Sequence, residues 1–155
     1  MKRSTWIALG RVCYWISWPG LRYYLRWSNR TRVVVISNDR LLVVKGWLSN
    51  GGWSLPGGGL HHGEPVTVGA CRELYEETGL QVYASDLTVL SQQQYRSHGL
   101  RFRYTLIRAT SSNIVRQTLR PQPIEILELA WLTKAELVAQ RVEPDVMEAL
   151  RIWVT

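Results

Sequence analysis

Cysteine is nearly absent: only Cys13 and Cys71 occur in 155 residues, and they form no CxxC pair. That excludes a disulfide framework and a thiolate zinc cage, and makes a reducing cytoplasm the default compartment. Acid is missing from the first 38 residues, which nevertheless carry Lys2, Arg3, Arg11, Arg22, Arg26, Arg30 and Arg32. Residues 39–155 hold 12 basic and 12 acidic side chains, so the formal net charge of +7 is entirely N-terminal. No apolar run reaches the roughly 20 residues of a spanning helix, and Arg11 interrupts the one near the start. No small-residue cleavage site precedes Trp18-Pro19, so a removable export signal is not expected. Repeats and low-complexity tracts are lacking too, and the length suits one domain with a real core.

What the N-terminal segment does have is aromatic rings: Trp6, Tyr14, Trp15, Trp18, Tyr23, Tyr24 and Trp27 among the basic residues. Residues 1–30 are expected to form a helical extension that breaks near Pro19, ahead of a domain at 31–155. Basic and aromatic character together suit a peripheral contact with an anionic membrane surface, making the protein cytoplasmic with membrane association as an added property. The apolar side chains point all round the helical wheel, however, which suits burial against the domain or in a homodimer equally well.

Further along, Thr31–Ser37 and Arg40–Gly46 have the β-branched character of strands, joined by a turn at Asn38-Asp39. A helix is expected over 65–78, with Pro65 in its first turn and Gly79 as its stop. Strands follow at Leu87–Tyr95, Leu100–Arg108 and Ile126–Leu132, then helices at Lys134–Gln140 and Pro144–Val154. The elements are α/β without the regular period of a doubly wound sheet, which favours a mixed β-sheet between helices.

The stretch GGGLHHGEPVTVGACRELYEETGL, Gly57 to Leu80, concentrates carboxylates after three glycines. On the helix, Glu73, Glu76 and Glu77 fall at i, i+3 and i+4 and share a face. Like charges so placed repel by roughly 0.2–0.5 kcal/mol per pair on an exposed helix. Either the face is simply solvated, with Arg72 offsetting Glu76, or the oxygens converge on a hard divalent cation. Spacing alone leaves both open.

The complete pattern is more specific. From Gly58 the sequence runs Gly, five residues, Glu64, seven residues, then Arg72-Glu73-Leu74-Tyr75-Glu76-Glu77-Thr78-Gly79-Leu80. This resembles the Nudix box, GX5EX7REUXEEXGU with U a bulky aliphatic, at every fixed position. At average residue usage, seven fixed identities coincide by accident on the order of once in a hundred million windows. The preceding WSLPGG resembles the family's lead-in strand and turn. The resemblance implies an α/β/α sandwich and Mg²⁺-dependent hydrolysis, with Mn²⁺ as the substitute ion, of a pyrophosphate bond in a nucleoside diphosphate linked to another moiety. It implies that Glu73, Glu76 and Glu77 are metal-binding carboxylates, Glu64 a supporting one, Arg72 an orienting partner and the Gly57 carbonyl a further ligand. The glycines let the backbone approach metal and phosphate closely.

A carboxylate must also accept a proton from the attacking water. A box glutamate, Glu125 just ahead of the last strand, or Glu128 within it are the candidates. For substrate contact, Arg101 and Arg103 share one strand face and Tyr95 is suited to stacking on a base, although an exposed strand face is commonly charged without a role. His61 and His62 are expected in a solvated loop, since magnesium does not prefer imidazole, and Cys71 as a core side chain. The partner is a small-molecule nucleotide. A nucleotide-sensing module without hydrolysis is disfavoured by the intact carboxylate set, and an RNA 5′-end pyrophosphohydrolase by the lack of any nucleic-acid-binding module.

Overall fold

Three consecutive valines, Val33, Val34 and Val35, are completely buried. A strand enclosed on both faces belongs in the middle of a sheet. The computed structural model describes Val12, Ile16, Gly20 and residues 28–47, 51–97, 99–110, 114, 117–120 and 125–153. In it, β1 (Asn29–Ser37) lies at the centre of a five-stranded sheet, with β2 (Arg40–Gly46), β3 (Leu87–Ser97), β4 (Leu100–Ala109) and β5 (Ile126–Leu132). The strand order is β3-β4-β1-β2-β5. β1 runs parallel to β4 from Asn29 opposite Arg103 to Val35 opposite Ala109, while the β1–β2, β2–β5 and β3–β4 pairs are antiparallel. The sheet is therefore mixed, as expected.

The turn between β1 and β2 has Asn38 and Asp39 at φ 49° and 54°. Both tolerate the left-handed region better than other side chains, and it suits the twist of a two-residue hairpin. β1 and β2 pair directly only near that turn, at Ile36–Leu41 and Ser37–Arg40. Beyond it they part, and the chain from Trp53 to Leu60 fills the gap.

Helices cover both faces. Helix α1 (Val66–Thr78) places Ala70 and Leu74 on Val33, Val35, Leu42 and Ile107. On the opposite face, α2 (Lys134–Val138) and α3 (Pro144–Trp153) bring Leu137, Val146 and Ala149 onto Val34, Leu41, Val43 and Leu106. Alternate residues of β1 and β2 serve alternate faces, as strand geometry dictates. The expected α/β/α sandwich is present.

Boundaries differ in detail. Pro65 is the residue before the first helical turn of α1, its carbonyl accepting from the Gly69 amide at 3.0 Å. Helix α2 ends at Val138 rather than Gln140; its start is fixed by Thr133 and Glu136, which cap each other's backbone amides. A short 3₁₀ turn at Ala84–Asp86 has no counterpart in the sequence expectation. The helical extension expected of residues 1–30, and with it the homodimer and membrane contacts, falls outside the described residues apart from Val12, Ile16, Gly20 and 28–30. Among the described residues no helix is long and apolar enough to cross a membrane.

Gly79 ends α1 at φ 78°, its amide donating to the Tyr75 carbonyl at 2.8 Å. A Cβ there would stand 3.0 Å from the Arg120 Cβ and 3.1 Å from its amide nitrogen, so crowding adds to the left-handed strain. Gly79→Ala is expected to lower unfolding stability by about 1–2 kcal/mol in urea titration.

Candidate functional site

The site is built on a loop that behaves like an extra strand. Four successive carbonyls between β1 and β2 each find a donor. Pro56 accepts from the Val33 amide and Gly58 from the Thr31 amide, both at 2.8 Å. The carbonyls between and after them turn to side chains: Gly57 accepts from an Arg32 Nη, and Gly59 accepts from Arg72 Nη2 at 2.9 Å. The Leu60 amide closes the run on the Asn29 carbonyl at 3.0 Å. A side chain is excluded at Gly57 by backbone and crowded at Gly58 by the Glu73 carboxylate. A Cβ on Gly57, at φ 134°, would lie 2.4 Å from the Thr31 carbonyl oxygen, and one on Gly58 would lie 2.3 Å from Glu73 Oε2.

Arg72 leaves the middle of α1 and gathers the acids. Its Nε and Nη2 donate to the two oxygens of Glu64 at 3.0 and 2.9 Å, the fork-on-carboxylate geometry that only arginine provides. Its Nη1 donates to Glu73 at 2.8 Å and Glu76 at 3.1 Å. Glu64 also accepts from the His61 amide at 2.9 Å. With the Arg72 bonds first and that amide next, the Glu64 carboxyl is held down at about 2, and the same bonds push the Arg72 guanidinium above its ordinary value.

Glu77 is the contrast. It is half-buried as a residue with its carboxylate enclosed by protein, and Oε2 accepts from the Gly57 amide at 2.7 Å. Burial outweighs the nearby Arg32 and that amide, raising its carboxyl to about 7. Glu73 and Glu77 thus face the glycine loop from α1, beside Gly58 and on the Gly57 amide, while Glu76 is exposed on the Arg72 side. Among the described residues, however, no three carboxylate, imidazole or thiol groups stand together as a preassembled cation cage. Glu73 and Glu76 lean on Arg72 instead, and Glu77 on Gly57.

A family model described as the NUDIX domain matches residues 27–151. The chain belongs to the Nudix family. A MutT-like protein of Streptomyces ambofaciens is 45% identical over 56 residues, which is 36% of this chain and 36% of that protein. The chain thus spans about a third of the length of that curated relative. Among solved structures, a MutT Nudix hydrolase from Burkholderia pseudomallei superposes with TM-score 0.69 at 24% identity, over 80% of this chain and 95% of its own. A bifunctional NMN adenylyltransferase/ADP-ribose pyrophosphatase from Francisella tularensis, complexed with AMP and a manganese ion, superposes with TM-score 0.67 at 18% identity, over 92% of this chain and 45% of its own. At those identities the two structures establish the Nudix fold.

The remaining expected residues are placed as follows. Glu125 is exposed at the entry to β5, its carbonyl accepting from the Trp47 amide at 2.7 Å. Glu128 meets Lys45 Nζ at 2.9 Å. Arg101 and Arg103 are exposed, alternating with buried Phe102 and Tyr104. Tyr95 differs from expectation: it is 8% exposed, stacked on Phe102 at 4.4 Å, with its hydroxyl donating to Glu143 at 2.6 Å. Both the ring and its polar tip are already used, which removes it as a base-stacking platform. His61 and His62 are exposed, and Cys71 is half-buried, with desolvation raising its thiol above the ordinary value.

Two residues in contact with the glycine loop or the residue before it escaped the sequence reading. Arg32 is 12% exposed at the side chain and Asp145 is fully buried, and Arg32 Nε lies 2.8 Å from Asp145 Oδ2. Arg32 had counted as one more charge in the basic segment. The available signal was strand alternation, which puts Arg32 on the same side of β1 as the core residue Val34; a charge pointing inward requires a partner.

Arg72 makes the box carboxylates mutually tolerable, and the sign of its pH dependence follows. Glu64 sits at about 2 when folded against an ordinary 4.5, so its bond to Arg72 contributes stability that is full above about 4.5 and lost as pH falls through about 2. The stability deficit of Arg72→Met, measured by denaturant unfolding across pH, should be largest above that upper value and shrink below it.

Proposed function

We propose that this Nudix protein hydrolyses a pyrophosphate bond in a nucleoside diphosphate linked to a second moiety, using Mg²⁺ or Mn²⁺. The observation that carries the reading is Glu77, an enclosed carboxylate whose charge the surrounding arginine and amide leave undercompensated, bonded to a loop in which Gly57 leaves no room for a side chain. The donors proposed as ligands, three carboxylates and a backbone carbonyl, are all oxygen, the set preferred by hard divalent cations. Glu73, Glu76 and Glu77, with the Gly57 carbonyl, would hold the ion. Glu73 and Glu76 must turn from Arg72 to do so, leaving Arg72 gripping Glu64.

When bound, the ion neutralises two adjacent phosphates and makes an attacking water more acidic. The protein does the rest. Arg32 and the Gly57 amide keep Glu77 directed at the loop, and the glycines allow a diphosphate to approach the backbone. Glu125 is the proposed proton acceptor, since Glu128 is engaged with Lys45 whereas Glu125 is exposed. ADP-ribose is a natural first substrate to try, given the pyrophosphatase activity named for the Francisella fold relative.

The direct test incubates the protein with ADP-ribose, nucleotide sugars, dinucleotides, nucleoside triphosphates and 5′-triphosphate RNA, with Mg²⁺ or Mn²⁺, and identifies the products. Mononucleotide release from a nucleoside diphosphate conjugate is expected. Glu76→Gln and Glu77→Gln should each lower kcat by at least about a hundredfold, and Glu125→Gln by roughly 10²–10⁴ with little change in KM. No turnover of any panel member with either ion would sink the proposal.

The Glu77 carboxyl gives a second, substrate-free check. In the metal-free protein its value of about 7 means that the folded state holds a proton the ion must displace. Affinity for Mn²⁺ should therefore climb as pH rises toward about 7 and level off above it. Calorimetry in buffers of different ionisation enthalpy should show proton release on the acid side only. Without metal the same shift has the opposite consequence: stability declines as pH rises from about 4.5 through about 7, because the folded state favours the protonated form.

A further inference from the structure

Asp145 stands at the start of α3, on the face of the sheet opposite α1, yet its contacts lead to the glycine loop. Its Oδ1 accepts from the Val146 amide at 2.9 Å and its Oδ2 from the Leu55 amide at 3.3 Å, immediately before the loop. The same Oδ2 lies 2.8 Å from Arg32 Nε, and both side chains are largely or wholly out of solvent. Arg32 in turn donates to the Gly57 carbonyl, and the Gly57 amide donates to Glu77 at 2.7 Å. One continuous chain of polar contacts therefore runs from α3 through β1 and the loop to the carboxylate on α1. Each link has few alternatives: Asp145 is pinned by two amides, and Gly57 can bear no side chain against the Thr31 carbonyl.

We propose that Asp145 and Arg32 form a positioning pair for the divalent-cation site: the guanidinium holds the Gly57 carbonyl, and so the residue whose own amide N–H, one peptide plane earlier, holds the Glu77 carboxylate, while Asp145 cancels the guanidinium charge beside an arriving cation. The proposal rests on the metal-dependent reading above. A carbonyl oxygen has two lone pairs, so Gly57 accepts from Arg32 with one and keeps the other for the ion. A guanidinium so close to a divalent ion would repel it in this poorly solvated setting. The abutting carboxylate removes that obstacle, as groups behind the direct ligands of a metal commonly tune its affinity.

A purely structural ion pair makes a different forecast. Losing one partner of a buried pair is strongly destabilising, whereas losing both charges together is tolerated. Asp145→Asn keeps one oxygen for either the Leu55 or the Val146 amide, turns its NH2 toward the other and strands the Arg32 charge, and should lower Tm by roughly 10 °C. The double variant Arg32→Met/Asp145→Asn removes both charges and should recover the part of that Tm lost to the stranded guanidinium. If the pair positions the site, the double variant still binds Mn²⁺ about 10- to 100-fold more weakly, kcat falls by a similar factor with KM within about threefold, and the Gly57 amide resonance moves in a ¹H–¹⁵N spectrum. Parental Mn²⁺ affinity and an unmoved Gly57 amide in the recovered double variant would overturn the proposal.

Arg32→Lys keeps a charge against Asp145 but loses the fork that reaches both Asp145 and Gly57. It should remain folded, with Mn²⁺ affinity reduced about tenfold; parental affinity in this variant would overturn the proposal even if the double variant failed to fold. A parental protein that binds no Mn²⁺ overturns the metal-dependent reading itself. The Gly57 amide then decides the positioning claim alone, a shift in Arg32→Lys supporting it and an unmoved resonance rejecting it.

Discussion

The backbone of Pro56–Leu60, laid against the free part of β1, is the constraint on which everything else depends. A loop threaded between two strands must satisfy its buried carbonyls, and here the solution alternates. Amides of β1 take Pro56 and Gly58, and arginines from the strand and the helix take Gly57 and Gly59. Arg72 can then hold Glu64, Glu73 and Glu76 while Glu77 rests on the Gly57 amide, because the loop beside them is already bonded. Functional loops generally owe their precision to the scaffold beneath them, and in this fold the scaffold is the central strand itself.

The same lacing divides the acidic helix into two electrostatic halves. At the Glu64 end, Arg72 overcompensates and holds a carboxyl far below its usual range; at the Glu77 end, enclosure dominates and raises one. Environments that push like groups apart in this way assign them different work. The first half gives the structure its cohesion. The second holds a carboxyl that burial biases toward its protonated form, so that it ionises only near neutral pH.

Much of this was legible in the residues. Strand alternation, the Asn38-Asp39 turn and the Gly79 stop are local signals, and the elements they mark formed almost where expected. The parallel pairing of β1 with β4 was not legible, since no neighbouring residue encodes it. Tyr95 shows the same limit at the level of a side chain. Its strand face was readable, but its burial depends on Glu143, 48 residues away. Arg32 and Asp145 were hidden for a related reason: each is unremarkable in its own segment, and their meaning lies only in their meeting. The box was legible because its parts are neighbours in sequence, whereas the support behind it is assembled across the fold.

The position of Asp145 also bears on when the site comes into being. Leu55 and Arg32 contact a residue 90 or more positions later in the chain, and β1 needs β4 as its neighbour. Contacts of such long sequence separation form slowly, because their closure entropy is met before they return any stabilisation. During synthesis, then, the box helix leaves the ribosome long before the aspartate that steadies its glycine loop. A nascent chain therefore carries every box glutamate before Asp145 exists to meet Leu55 and Arg32.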